Sequence, residues 1–83
     1  MGIGYHLTEF TKGKLGESSK ILEEVNELID AEKQDCKIMA LVELSDLYGA
    51  IESYLGNNYP DISMIDLKKM SDITKRAFIN GRR

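Results

Sequence analysis

Apolar residues recur at Ile21, Leu22, Val25, Leu28 and Ile29. That 3–4 spacing is one stripe of an amphipathic helix. It predicts a helix opening at about Glu17 or Ser18, with Ser18 or Ser19 as its N-cap. No Gly or Pro interrupts before residue 35. Asp35 reads as the N-cap of a second helix, running to about Leu55 and stopping at Gly56-Asn57-Asn58, with Pro60 beyond. Its apolar residues, from Ile38 through Leu41, Leu44 and Tyr48 to Leu55, go almost all the way round. That pattern predicts burial on several sides. A third helix is expected from near Asp61 or Ser63 to about Asn80, lined by Met64, Ile65, Leu67, Met70, Ile73, Ala77 and Phe78. Gly81 is placed to end it. Residues 1–16 contain Gly2, Gly4, Gly13 and Gly16 and read as an irregular arm, with a short extended piece around 5–11.

The expected fold class is therefore all-α: a helical hairpin plus a third helix. A second copy would complete a four-helix-type bundle. At 83 residues, one domain over 1–83 is the sensible count. Such a domain buries a modest core, which oligomerisation would enlarge. With 42% hydrophobic and 30% charged residues the composition is that of a globular chain.

Composition excludes several classes. A net charge of −3 gives no general case for a nucleic-acid polymer as partner. No apolar stretch approaches the ~20 residues that cross a bilayer. The start, MGIGYHLTEF, lacks the basic region and apolar run of a signal peptide. Cys36 is the only cysteine, so no internal disulfide forms, and with the single His6 it cannot build a Cys/His zinc site. A cytoplasmic location fits. The average charge hides an asymmetry: residues 17–52 hold ten acidic and three basic side chains, a net of −7. Residues 68–83 hold six basic and one acidic, a net of +5.

The acidic residues form a pattern. LEEVNELIDA places Glu23, Glu24 and Glu27 close together, although like charges at i,i+3 and i,i+4 repel. By itself this reads as a solvated face. Glu43 and Asp46 are harder to dismiss, because they share one face of a largely apolar helix. Burying them without a compensating cation is costly. If the first two helices fold back near residue 35, then 24 pairs with 46 and 27 with 43. At about 1.5 Å rise per residue, both rungs lie roughly 12 to 17 Å from the turn. Four carboxylates then meet between neighbouring helices. With no His or Cys nearby, the donor set suits Mg²⁺, with Mn²⁺ an alternative, rather than Zn²⁺.

EEVNE (23–27) followed by ELSD (43–46) resembles the EExxE…ExxD signature of the MazG-like, all-α nucleoside triphosphate pyrophosphohydrolases, the superfamily that includes phosphoribosyl-ATP pyrophosphohydrolase and the dimeric dUTPases. LGESSKILEEVNELIDA, IMALVELSDLYGAIESYL and KMSDITKRAFINGRR look like its short, single-domain phage and bacterial members. The resemblance covers about residues 13–83. It implies Mg²⁺-dependent hydrolysis of a nucleoside triphosphate to monophosphate and pyrophosphate, as nucleotide-pool house-cleaning, in a homodimer or homotetramer. It maps the metal ligands onto Glu24, Glu27, Glu43 and Asp46. It adds Glu23 to the catalytic set, where orienting a neighbour and activating water are both open. Lys75, Arg76, Asn80 and Arg82 are the implied contacts to substrate phosphates, against a plainer role facing the dipole of their own helix. Lys20, one turn before Glu24, can pair with it or reach a phosphate; the pair is the expectation.

Other features carry less. KGKLGESSK fails as a P-loop, because Gly13-Lys14 is followed by Leu15 and position 8 is Thr. Tyr5 and His6 read as surface or packing residues, Tyr48 and Tyr54 as core or subunit interface, and Cys36 as too exposed and isolated for catalysis. The rival reading is a non-enzymatic helical interaction or regulatory module.

Overall fold

The computed structural model describes residues 9–79 and 81. Among them it is all-helical: α1 spans Ser18–Lys33, α2 Lys37–Asn58 and α3 Met64–Ile79. Helices α1 and α2 pack on one another as a hairpin. Against α3, Tyr48 and Ile51 of α2 line an apolar groove with Met64, Ile65 and Leu67. No helix among the described residues is long and apolar enough to cross a membrane.

The hairpin turn departs from expectation. Asp35 is not the N-cap of α2; that place falls to Cys36, which makes no side-chain cap bond. Asp35 instead adopts φ 53°. Its amide donates to the Glu32 carbonyl at 2.9 Å, and the Cys36 amide to the Ala31 carbonyl at 3.3 Å. This is a Schellman-type end to α1, with Asp where Gly is usual. A short polar side chain tolerates left-handed backbone better than most. The Asp35 backbone thus closes one helix rather than opening the next.

The other boundaries follow local chemistry. Neither Ser18 nor Ser19 caps α1; the N-cap is Glu17, without a side-chain bond. Ser19 Oγ is committed elsewhere, accepting the Lys14 amide at 3.0 Å. Helix α2 runs three residues past the expected stop. Asn57 and Asn58 Nδ2 donate to the Gly16 carbonyl at 3.1 and 3.2 Å, so the arm braces the last turn. Gly16 accepts both at φ +93°, a conformation suited to glycine. At the start of α3, Ser63 and Asp66 cap reciprocally. The Ser63 amide donates to Asp66 Oδ2 at 3.0 Å, and the Asp66 amide to Ser63 Oγ at 3.2 Å. Gly81 is left-handed at φ 73°, the backbone of a residue that ends a helix.

The many-sided burial expected of α2 does not occur within one chain. Ile38 is 79% exposed and Leu41 67%, with Leu44 and Tyr48 also outward. Among the described residues the buried apolar side chains are Ala31, Met39, Ala50 and Leu55. The reason is geometric: among the described residues α1 is the helix that packs extensively along α2, and one neighbouring helix covers one face.

Candidate metal centre

The hairpin brings the acidic residues to the α1–α2 seam. Glu23, Glu24 and Glu43 are all buried, at 2%, 4% and 1% exposure. Glu27 is half-buried and Asp46 exposed. Oxygens of Glu24, Glu43 and Asp46 lie within 4.8 Å of one another, and so do those of Glu23, Glu24 and Glu27. The set therefore forms two overlapping triads that share Glu24, rather than one ring of four. The rungs have the expected partners. The charge of Asp46 acts on Glu24, and that of Glu43 acts on Glu27.

Electrostatics divides these carboxylates. Burial pushes Glu27 up to about 7, and the charges of Glu24 and Glu43 push the same way. Burial also raises Glu24, and Lys20 resists it. Glu23 goes the other way. Burial alone would raise it, but the Gly13 amide, Lys20 and Lys12 hold it down at about 2.

Glu23 owes this to the arm. The Gly13 amide donates to Glu23 Oε1 at 2.8 Å. Lys12 Nζ stands 3.4 Å from Glu23 Oε2. A Cβ on Gly13 would run into the Ser19 carbonyl oxygen, so only glycine lets the arm lie this close. The sequence marks Gly13 as part of a glycine-rich arm but carries no signal that its amide meets Glu23.

Lys20 makes the expected pair and one more. Its Nζ lies 3.1 Å from Glu23 Oε1 and 3.2 Å from Glu24 Oε2. Beside it opens a cavity of about 510 Å³, lined by Leu15, Lys20, Glu24, Asp46 and by Ser45 and Ser53, two hydroxyls that sequence reasoning passed over.

Of the residues expected to contact phosphate, Lys75 and Arg76 do not join this cluster within one chain. Lys75 and Arg76 lie on α3, both exposed. Neither lines the cavity. Their charges act on Asp72 of their own helix. Asn80 and Arg82 lie outside the described residues, as do Tyr5 and His6. Cys36 is half-buried rather than exposed and stands apart from the carboxylates as a free thiol.

The donors fit a hard divalent ion. They are carboxylates from two helices, and Glu24 Oε1 is buried without a hydrogen-bond partner. A buried, unpartnered carboxylate oxygen costs free energy that a cation can offset. The all-oxygen donor set and open cavity match what Mg²⁺ or Mn²⁺ needs when solvent or phosphate oxygens complete the shell. No family model, curated protein or solved structure matches this chain.

Proposed function

We propose that this protein is a divalent-cation-dependent nucleoside triphosphate pyrophosphohydrolase of the MazG-like kind, cleaving its substrate to the monophosphate and pyrophosphate. The observation that carries the reading is the convergence of Glu24, Glu43 and Asp46 within 4.8 Å, with Glu24 Oε1 buried and unpartnered. Glu24, Glu43 and Asp46 hold one Mg²⁺ or Mn²⁺, and Glu27 adds its oxygen from the next turn of α1. Once held, the ion supplies Lewis acidity and the activation of water. Glu23, kept ionised by Gly13, Lys12 and Lys20, does not need the ion and fixes the first turn of α1 beneath it. Ser45 and Ser53 face the cavity with hydroxyls that can donate to phosphate oxygens. Positioning and charge stabilisation account for most of the rate in such a displacement.

The working unit is a homodimer or homotetramer in which α2 completes a four-helix-type bundle. Two large apolar side chains, Met39 and Leu55, and two alanines make up the described core. Burial of a large side chain contributes about 1.5–3 kcal/mol. The outward Ile38, Leu41, Leu44 and Tyr48 are the apolar surface that a second copy would bury. In such an assembly Lys75 and Arg76 of another copy, which do not line the cavity of their own chain, supply phosphate contacts together with Asn80 and Arg82.

The test is a panel of canonical and modified nucleoside triphosphates with Mg²⁺, monitored for pyrophosphate, on wild-type protein and Asp46→Ala. The expected result is release by the wild type and none by the variant at unchanged helicity. A folded, multimeric wild type that cleaves nothing above background would favour the second reading, a non-enzymatic interaction module. The observation on that side is the same exposed apolar face of α2.

A further inference from the structure

Lys20 stands where it must interfere with a cation. Its ammonium lies 3.2 Å from Glu24 Oε2, on the one carboxylate shared by both triads. A divalent ion binds a carboxylate oxygen at about 2.0–2.1 Å. An ion on Glu24 would therefore sit within a few ångströms of the Lys20 ammonium, beside a carboxylate that is itself buried.

The two partners of Lys20 are not equivalent. Glu23 keeps the Gly13 amide at 2.8 Å and Lys12 at 3.4 Å if Lys20 departs. Glu24 instead exchanges one cation for another, while its other oxygen, Oε1, already lacks a donor. The lysine stem is flexible, its side chain is 28% exposed, and it borders the cavity shared with Asp46, Ser45 and Ser53. A lysine ammonium is a compact charge with three rotatable donors, suited to leaving a carboxylate for an anion nearby.

We propose that Lys20 is a resident counter-ion of this carboxylate cluster, displaced from Glu24 when a divalent cation enters and then turned into the cavity as a ligand for a phosphate or pyrophosphate group. This deepens the reading of the preceding section and rests on it. The arm makes the exchange inexpensive, because Gly13 and Lys12 keep Glu23 paired throughout. Metal and anion are then coupled through one side chain: each favours the position of Lys20 that the other needs.

The test titrates Mn²⁺ alone, then inorganic pyrophosphate at saturating Mn²⁺, by calorimetry on the wild type, Lys20→Met and Lys20→Arg. Removing the competing charge should tighten Mn²⁺ binding about tenfold in Lys20→Met and leave Lys20→Arg close to the wild type. Pyrophosphate should bind Lys20→Met about tenfold more weakly. Opposite shifts of the two affinities are what a merely structural ion pair does not produce. Should Lys20→Met fail to fold, Lys20→Gln takes its place. In the wild type, the Lys20 ammonium resonance is to move and exchange faster with water on adding Mg²⁺ alone. Mn²⁺ binding of equal strength in wild type and Lys20→Met, or an ammonium signal indifferent to Mg²⁺, overturns this role while leaving the metal centre standing. A wild type that takes up neither ion overturns both.

Discussion

The backbone amide of Gly13 donates to Glu23 Oε1 across 2.8 Å, so the arm and the first acidic residue of α1 hold one another in place. Glu23 is 2% exposed, and few other arrangements would keep it ionised there. The contact spans ten residues of sequence and depends on the absence of a side chain at position 13.

Gly13→Ala is therefore expected to lift the arm off α1. The new Cβ meets backbone rather than a flexible side chain, so the arm must shift. The loss of a charged hydrogen bond to a buried carboxylate is expected to destabilise the fold by about 1–3 kcal/mol. Urea denaturation at pH 7 measures it. A variant within about 0.5 kcal/mol of the wild type would remove the arm from the account of Glu23.

Asp35→Gly is expected to stabilise. Asp35 closes α1 at φ 53°, a region that costs most side chains about 1–2 kcal/mol and glycine almost nothing. Against that stands the greater freedom of glycine in the unfolded chain, so a net gain of about 0.5–1 kcal/mol is expected. Thermal unfolding reads it as a rise in Tm, and a fall would show that the Asp35 side chain makes up the difference.

Stability of the metal-free protein should depend on pH in two opposite ways. Glu23 is held at about 2, below its ordinary 4.5, so its contribution is present above 4.5 and lost as pH falls toward 2. Glu27 is raised from 4.5 to about 7, so the folded state keeps a proton the unfolded chain has lost, and stability falls as pH rises through that window. Each effect is of order 3 kcal/mol. In a chelator, Tm should peak near pH 4.5 and decline on both sides. Adding Mg²⁺ should restore the loss at pH 7.5 and do little at pH 4.5, where Glu27 is protonated. A Tm that is flat between pH 4.5 and 7.5 in the chelator would contradict the crowding of these carboxylates.

Glu43→Gln separates stability from function. It removes one of the charges that raise Glu27. In a chelator at pH 7 the variant is expected to be more stable than the wild type by about 1 kcal/mol. Its affinity for Mn²⁺ should fall at least about tenfold. Gains in both would mean that the carboxylate at position 43 is not a ligand.

Leu41→Glu tests the outward face of α2. At 67% exposure within one chain, the site predicts an effect within about ±0.5 kcal/mol if the protein works as a monomer. In the proposed bundle a buried charge instead splits the assembly. Sedimentation velocity distinguishes the two, and an unchanged sedimentation coefficient would exclude this face as the subunit contact.

Much of this protein was legible from local spacing. The 3–4 recurrence of Ile21, Leu22, Val25, Leu28 and Ile29 marks α1, and the constant rise of a helix makes the register computable. A fold-back at 35 places residue 24 beside 46 and 27 beside 43, and those charges act on one another. Tertiary structure decided what spacing does not encode. Asp35 turned out to end α1 rather than begin α2, because left-handed backbone at one residue depends on how two helices must meet. Ser19 became an acceptor for Lys14, and Asn57 and Asn58 extended α2, because an arm without periodicity came to lie against both helix ends. The carboxylates met as two triads sharing Glu24, with Lys20 across Glu23 and Glu24. Helical periodicity assigns a side chain to a face, whereas the partner of each oxygen depends on rotamers and on chain arriving from ten or forty residues away.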